Sequence, residues 1–161
     1  MPEFTDPTAA MLSFQHALAT NEIHLQRGKL DCDIFVFCDQ ANDSPRFTYV
    51  SLDGGDVIAF VNLILVDPID DGIVCFQIGY AVSEKYRNQG YAKAAIKSAL
   101  AELWSGLSQN GIPSLCIEAV VHIDNHASNA VARTTLSDRP TEVTDCVSGL
   151  QALHYVLRIQ K

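Results

Sequence analysis

The chain has 161 residues, 48% of them hydrophobic and 19% charged, which fits a single folded domain over residues 1–161 that buries its core without metals or disulfides. Acidic residues outnumber basic ones 19 to 11, giving a net charge of −8. That balance argues against a nucleic-acid partner, because phosphate backbones are gripped by concentrated Lys and Arg.

Along the chain, Asp6-Pro7 is a good helix start, and Ala9 to Ala19 forms the body, with Met11, Phe14 and Leu18 spaced for one face. Asn21-Glu22 ends it. Asp33 to Asp39 reads as a strand, Asn42-Asp43-Ser44-Pro45 as a turn and Phe47 to Leu52 as the next strand. Asp53-Gly54-Gly55-Asp56 then forms a hairpin into Val57 to Val66, and Pro68 to Gly72 leads into Ile73 to Val82. The result is an antiparallel meander. Val57 to Val66 is the longest apolar stretch, but Asn62 interrupts it and it falls far short of the ~20 residues that span a bilayer. It is expected to be a buried strand, with no membrane partner.

The stretch from Gln77 to Lys93 reads as a strand, a turn and a helix start. Past it, Ala92, Ala95, Ile96, Ala99, Leu100, Leu103 and Leu107 recur at three-to-four spacing as one apolar face, with Lys93, Lys97 and Glu102 off it. The first N–H groups of a helix lack intrahelical partners and carry partial positive charge. Gln89, Gly90, Tyr91 and Ala92 are therefore expected to cradle an anion such as a pyrophosphate, with Arg87 adding a full charge. Leu115 to Val121 is the following strand. It is joined to Ile73–Val82 through a helical crossover, so the two must be parallel, and the sheet is mixed. A second helix is expected from Asn125 to about Leu136, and then Glu142 to Val147 and Ala152 to Ile159 form a closing hairpin through Ser148-Gly149.

Cys32, Cys38, Cys75, Cys116 and Cys146 are odd in number and contain no C-x-x-C pair, so reduced, mostly buried thiols are expected and no metal site. The start Met1-Pro2-Glu3, with Asp6 soon after, lacks the cationic and apolar regions of a secretory signal. A cytoplasmic protein is expected, and a homodimer is compatible with the sequence.

Arg87-Asn88-Gln89-Gly90-Tyr91-Ala92 resembles the Gln/Arg-x-x-Gly-x-Gly/Ala loop of the GNAT superfamily of acetyl-CoA-dependent N-acetyltransferases. Glu118-Ala119 followed by Asp124-Asn125-x-Ala127-Ser128 looks like the branch that includes ribosomal-protein and amino-sugar acetyltransferases. The resemblance covers roughly residues 57 to 136. It implies an α/β (α+β) fold: a mixed, mostly antiparallel central sheet with flanking helices, in which one parallel strand pair splays apart. It also implies acetyl-CoA as co-substrate, held by residues 87 to 93, including Asn88 and Lys93, and by the backbone of Ala81 and Val82. Asn125 and Ser128 match positions close to the coenzyme, although Asn125 is equally well read as a helix cap.

The reaction implied is attack of a primary amine on the thioester, which needs a base and a proton for the departing sulfur. Relatives often have a carboxylate where this chain has Gln77 and a tyrosine where it has Ala132. Glu118 and Tyr155 are the expected substitutes; the alternatives are a solvent-facing Glu118 and a core Tyr155 with a solvated hydroxyl. An α-amine of pKa about 7.7–8.0 is neutral in roughly one molecule in ten at neutral pH, a lysine near 10.4 in fewer than one in a thousand. A weak base thus favours an amino acid, a peptide N-terminus or an amino sugar. A non-catalytic acyl-CoA-binding module remains the alternative.

Overall fold

The computed structural model describes residues 7–146 and 148–161. Three helices, α1 (Pro7–Ala19), α2 (Tyr91–Gln109) and α3 (His126–Thr135), flank eight strands. The strands are β1 (Gln26–Arg27), β2 (Ile34–Ala41), β3 (Ser44–Asp53), β4 (Asp56–Val66), β5 (Val74–Val82), β6 (Ser114–His122), β7 (Thr141–Thr144) and β8 (Gln151–Gln160). They form one sheet in the order β1-β2-β3-β4-β5-β6-β8-β7. Every neighbouring pair is antiparallel except β5 with β6. The mixed, mostly antiparallel sheet expected from the sequence is the one observed.

The sheet separates two apolar layers. Alternate residues of β4, β5 and β6, such as Val61, Ile78 and Ile117, pack on Ala95, Ile96, Ala99, Leu100 and Leu103 of α2. The three-to-four spacing of that helix thus becomes the main core. On the other face, Met11, Phe14 and Leu18 of α1 pack on Val50, Val57 and Phe60. Gln15 fixes the helix there, since its side-chain oxygen accepts from the Val57 amide at 2.6 Å and its amide donates to the Gly55 carbonyl at 3.1 Å.

Two elements depart from the expected pattern. The turn after β2 needs only Asn42 and Asp43, with φ of 50° and 65°, a two-residue connection that matches the strand twist. Ser44 and Pro45 therefore already belong to β3. Pro45 is tolerated because pairing with β4 begins only at Arg46, so its missing N–H faces no partner strand. Strand β1 is two polar residues long, too short for any alternation to reveal it. The thiols also differ from expectation: Cys75 and Cys116 are buried, but Cys32, Cys38 and Cys146 are exposed. Burial pushes the Cys75 thiol up to about 12. The expected starts at Met1-Pro2-Glu3 and Asp6, and the strand end at Val147, lie outside the described residues.

Glu102, on the flank of α2, has a structural role. Its carboxylate accepts the amides of Lys29 at 3.0 Å, Leu30 at 2.6 Å and Asp31 at 2.9 Å. It holds the approach to β2 against the middle of α2. Hydrogen bonds to a charged group contribute about 1.5–3 kcal/mol. We expect Glu102→Ala to destabilise the protein by about 2 kcal/mol and lower Tm by roughly 4–8 °C, and Glu102→Gln by less, as read by thermal unfolding.

Candidate active site

The parallel pairing of β5 and β6 covers only four rungs, from Val74↔Leu115 to Gln77↔Glu118. Beyond them the strands diverge, yet neither frays. β5 stays paired with β4 as far as Ala59↔Val82, and β6 with β8 as far as His122↔Ala152. Each strand is thus held by its outer neighbour, while the facing inner edges, Ile78–Val82 and Ala119–His122, carry no partner strand. Such edges are templates for an extended chain with amide groups.

The helix start lies at the mouth of this wedge. After β5 a single 3-10 turn, Glu84–Tyr86, leads to Asn88 and Gly90, with φ of 61° and 83°. Gly90 is the N-cap of α2 and its carbonyl accepts from Ala94. With no side chain on the cap, nothing of the protein's own covers the amides of Tyr91, Ala92 and Lys93 from that position. The turn is prearranged: the Tyr86 hydroxyl donates to Asp53 at 2.6 Å, its ring meets Tyr91 edge-on at 5.7 Å, and Arg87 donates from Nε to the Val82 carbonyl at 3.1 Å.

A cavity of about 690 Å³ joins these features. Its lining includes Tyr80, Ala81, Val82, Arg87, Asn88, Gly90, Tyr91, Ala92 and Lys93, with Asn125 and Ser128 opposite and Thr8 of α1 at one side. All but one of the residues expected around a coenzyme come together here. The exception is Gln89, which is exposed and bonds the Lys85 carbonyl at 3.2 Å instead. Asn125 does both things considered for it: it lines the cavity and caps α3, accepting the Ser128 amide at 3.1 Å. Three cations, Lys85, Arg87 and Lys93, lie in or beside the loop of a chain whose net charge is −8.

The two residues expected to move protons are placed differently. Glu118 stands on the last paired rung, beside Gln77, at the vertex of the wedge. It is on the sheet face opposite α2, where its half-buried carboxylate meets His154 Nε2 at 2.9 Å. It does not point free into solvent. Tyr155 has no exposed surface, and its hydroxyl donates to Asn129 Oδ1 at 2.7 Å. The burial of Tyr155 has a clear cause. Asn129 is itself buried and spends its amide protons on the His122 carbonyl at 3.0 Å and the Asn125 carbonyl at 2.9 Å. Tyr155 completes this network and is sealed from the cavity. Three tyrosines do line it: Tyr86 and Tyr91 at the loop and helix start, and on β5 Tyr80, not anticipated from the sequence, whose hydroxyl donates to the Ser128 carbonyl at 2.7 Å across the wedge. Burial raises its pKa, keeping it protonated. Only its strand position, three residues past Gln77, could have marked it.

His122, at the end of β6, lies 2.8 Å from Asp145 and 3.3 Å from Ser148. Both contacts use the same ring nitrogen, so the group cannot act as a relay in which the carboxylate and the hydroxyl occupy opposite nitrogens. Among the described residues no three potential metal ligands cluster, and no helix is long and apolar enough to cross a membrane.

Residues 14–135 match the acetyltransferase (GNAT) family, and the chain belongs to that family, whose members use acetyl-CoA. No curated protein matches the sequence at a significant level. Solved structures share the fold. One is apo RimL, a ribosomal alpha-N-protein acetyltransferase (TM-score 0.51, 20% identity, 71% of this chain and 61% of that one). Another is a SpeG spermidine N-acetyltransferase chimera that includes Vibrio cholerae sequence (0.53, 14%, 72% and 67%). A third is the NatC complex bound to Gag peptide and CoA (0.52, 17%, 70% and 71%). Against the ribosomal-protein acetyltransferases it matches, the chain spans 60% to 68% of their length.

The loop generates a direct test. At Gly90 a Cβ would meet no atom within 4 Å, but the φ of 83° disfavours any side chain. Gly90→Ala therefore isolates backbone strain, and Gly90→Asp adds negative charge to the same strain. By calorimetry, we expect CoA affinity to fall at least tenfold further in the Asp variant than in the Ala variant.

Proposed function

We propose that the chain is an N-acetyltransferase, a single domain that moves an acetyl group from acetyl-CoA to a primary amine by direct attack. The observation that carries this reading is the meeting, in one cavity, of an uncapped helix start and two diverging strand edges. The amides of Tyr91, Ala92 and Lys93, with Arg87, suit a diphosphate. The open edge of β5 at Ala81 and Val82 suits the amide-bearing tail, and Asn125 and Ser128 face it from α3. Acetyl-CoA supplies the activated thioester. The three exposed thiols are consistent with a reducing, cytoplasmic setting.

Attack forms a C–N bond, breaks the C–S bond, releases one proton from the amine and consumes one at the sulfur. In this reading Glu118 takes the first; supporting it, Glu118 lies where the strands part and His154 holds its carboxylate. Gln77 beside it cannot titrate. For the second proton we choose Tyr80 over Tyr155, because of the tyrosines lining the cavity, Tyr80, Tyr86 and Tyr91, it is the one on the diverging strand β5. Its donation to Ser128 also fixes the ring between β5 and α3.

Two substitutions separate these roles. Glu118→Gln should lower kcat with an α-amine by about 10²-fold while leaving the Kd for CoA unchanged by calorimetry. Tyr80→Phe should lower kcat, and by deleting one hydrogen bond should cost about 1 kcal/mol of stability. Full activity in Glu118→Gln would remove that carboxylate from the mechanism. Tight acetyl-CoA binding with no acetyl transfer to any pooled amine would instead leave a non-catalytic acyl-CoA-binding module.

A further inference from the structure

A second cavity, of about 370 Å³, lies between α1 and the sheet on the face that carries Glu118. One wall is aromatic: the Phe14 ring meets Phe37 edge-on at 6.1 Å and Phe60 at 5.7 Å. The other contains the only charges among the described lining residues, Asp39 and Arg46, and these are spent on each other. Arg46 Nε donates to Asp39 Oδ1 at 2.8 Å, and Nη2 to the second carboxylate oxygen. The remaining guanidinium protons can still receive a carbonyl or carboxylate oxygen.

The cavity adjoins the wedge through Asn62. This residue lines the cavity and is in register with Gly79, which lies on the unpaired length of β5. A Cβ at Gly79 would sit 2.7 Å from Asn62 Oδ1 and 3.5 Å from Pro7 Cγ, so glycine is what allows the amide and the first turn of α1 to close this near the strand. Thr8 lines the larger cavity, and the next residues of the same turn, Ala9 and Ala10, line the smaller one. One helical turn and one side chain separate the two.

We infer that this cavity receives the body of the amine, and that it selects an α-amino compound with an apolar side chain, a free amino acid or peptide N-terminus, over a polyamine or an amino sugar. The inference rests on the transferase reading above and narrows its acceptor class. A polyamine needs unpaired carboxylates along its length, and the one carboxylate among the described lining residues is already paired with Arg46. A sugar needs a hydrogen-bonding partner for each buried hydroxyl; Ser13, Thr48 and Asn62 can serve some of them, but the wall of three phenylalanines supplies none. An apolar side chain against the rings, with its carbonyl toward Arg46, uses what the lining offers.

The test is calorimetric titration of the full chain with phenylalanine amide, spermidine and glucosamine, each with and without saturating CoA, which gives no turnover. Phenylalanine amide is expected to bind at least tenfold more tightly than the other two. Ser13→Trp, which fills the cavity from an exposed position on α1, should abolish that binding and leave CoA affinity unchanged. Absent binding of phenylalanine amide, equal or tighter binding of spermidine or glucosamine, or indifference to Ser13→Trp would overturn the inference. A failure of CoA itself to bind would sink the transferase reading instead, and the titrations without CoA would still report on the amine cavity.

Discussion

The structure depends on two neighbouring strands being pulled apart while each stays locked to its other partner. A parallel pair that simply ended would fray, and its loose backbone groups would find water. Here β4 holds β5 to Val82, and β8 holds β6 to His122, so the inner edges stay rigid and unpaired. Backbone donors and acceptors that cannot pair with each other are costly to bury without a partner. Here those of β5 border an open cavity, which leaves them accessible to a ligand or to water. The opening of the wedge is fixed by the network above it, in which Tyr155, Asn129 and two backbone carbonyls seat α3 on the end of β6.

The sheet also divides the chemistry. On one face, the start of α2 and the loop before it bring backbone amides, Arg87 and Lys93 to the larger cavity, where the proposed diphosphate would sit. On the other, Glu118 with His154 and the small aromatic cavity face α1. The proposed reacting partners would then approach from opposite sides of the same strands and meet where the pairing stops.

Much of this was legible in the sequence because it rests on local patterns. The apolar spacing of α2, the glycine at its start and the hairpin at Gly54-Gly55 are set within a few residues, and the parallel pair follows from a strand-helix-strand order. What sequence reading missed depends on partners far along the chain. Nothing near Tyr155 says that Asn129, 26 residues earlier, will accept its hydrogen bond, or that Tyr80 will reach the backbone of α3. Glu102 looks like an ordinary solvated charge until the loop before β2 folds onto it. The exposed cysteines were misplaced for a related reason: Cys38 lies toward the sheet edge on β2, and hydrophobic character alone does not tell an edge strand from a central one.

The clasp made by Glu102 has a mechanical consequence. It rivets the lead-in of β2 to the same rod whose tip faces the anion cradle, and β2 in turn supplies Phe37 and Asp39 to the smaller chamber. Ser98, one turn earlier on that rod, adds a second fastening by donating to Asp31 at 2.8 Å, so the strand that walls the smaller chamber and the helix that opens the larger one are pinned to each other at two points.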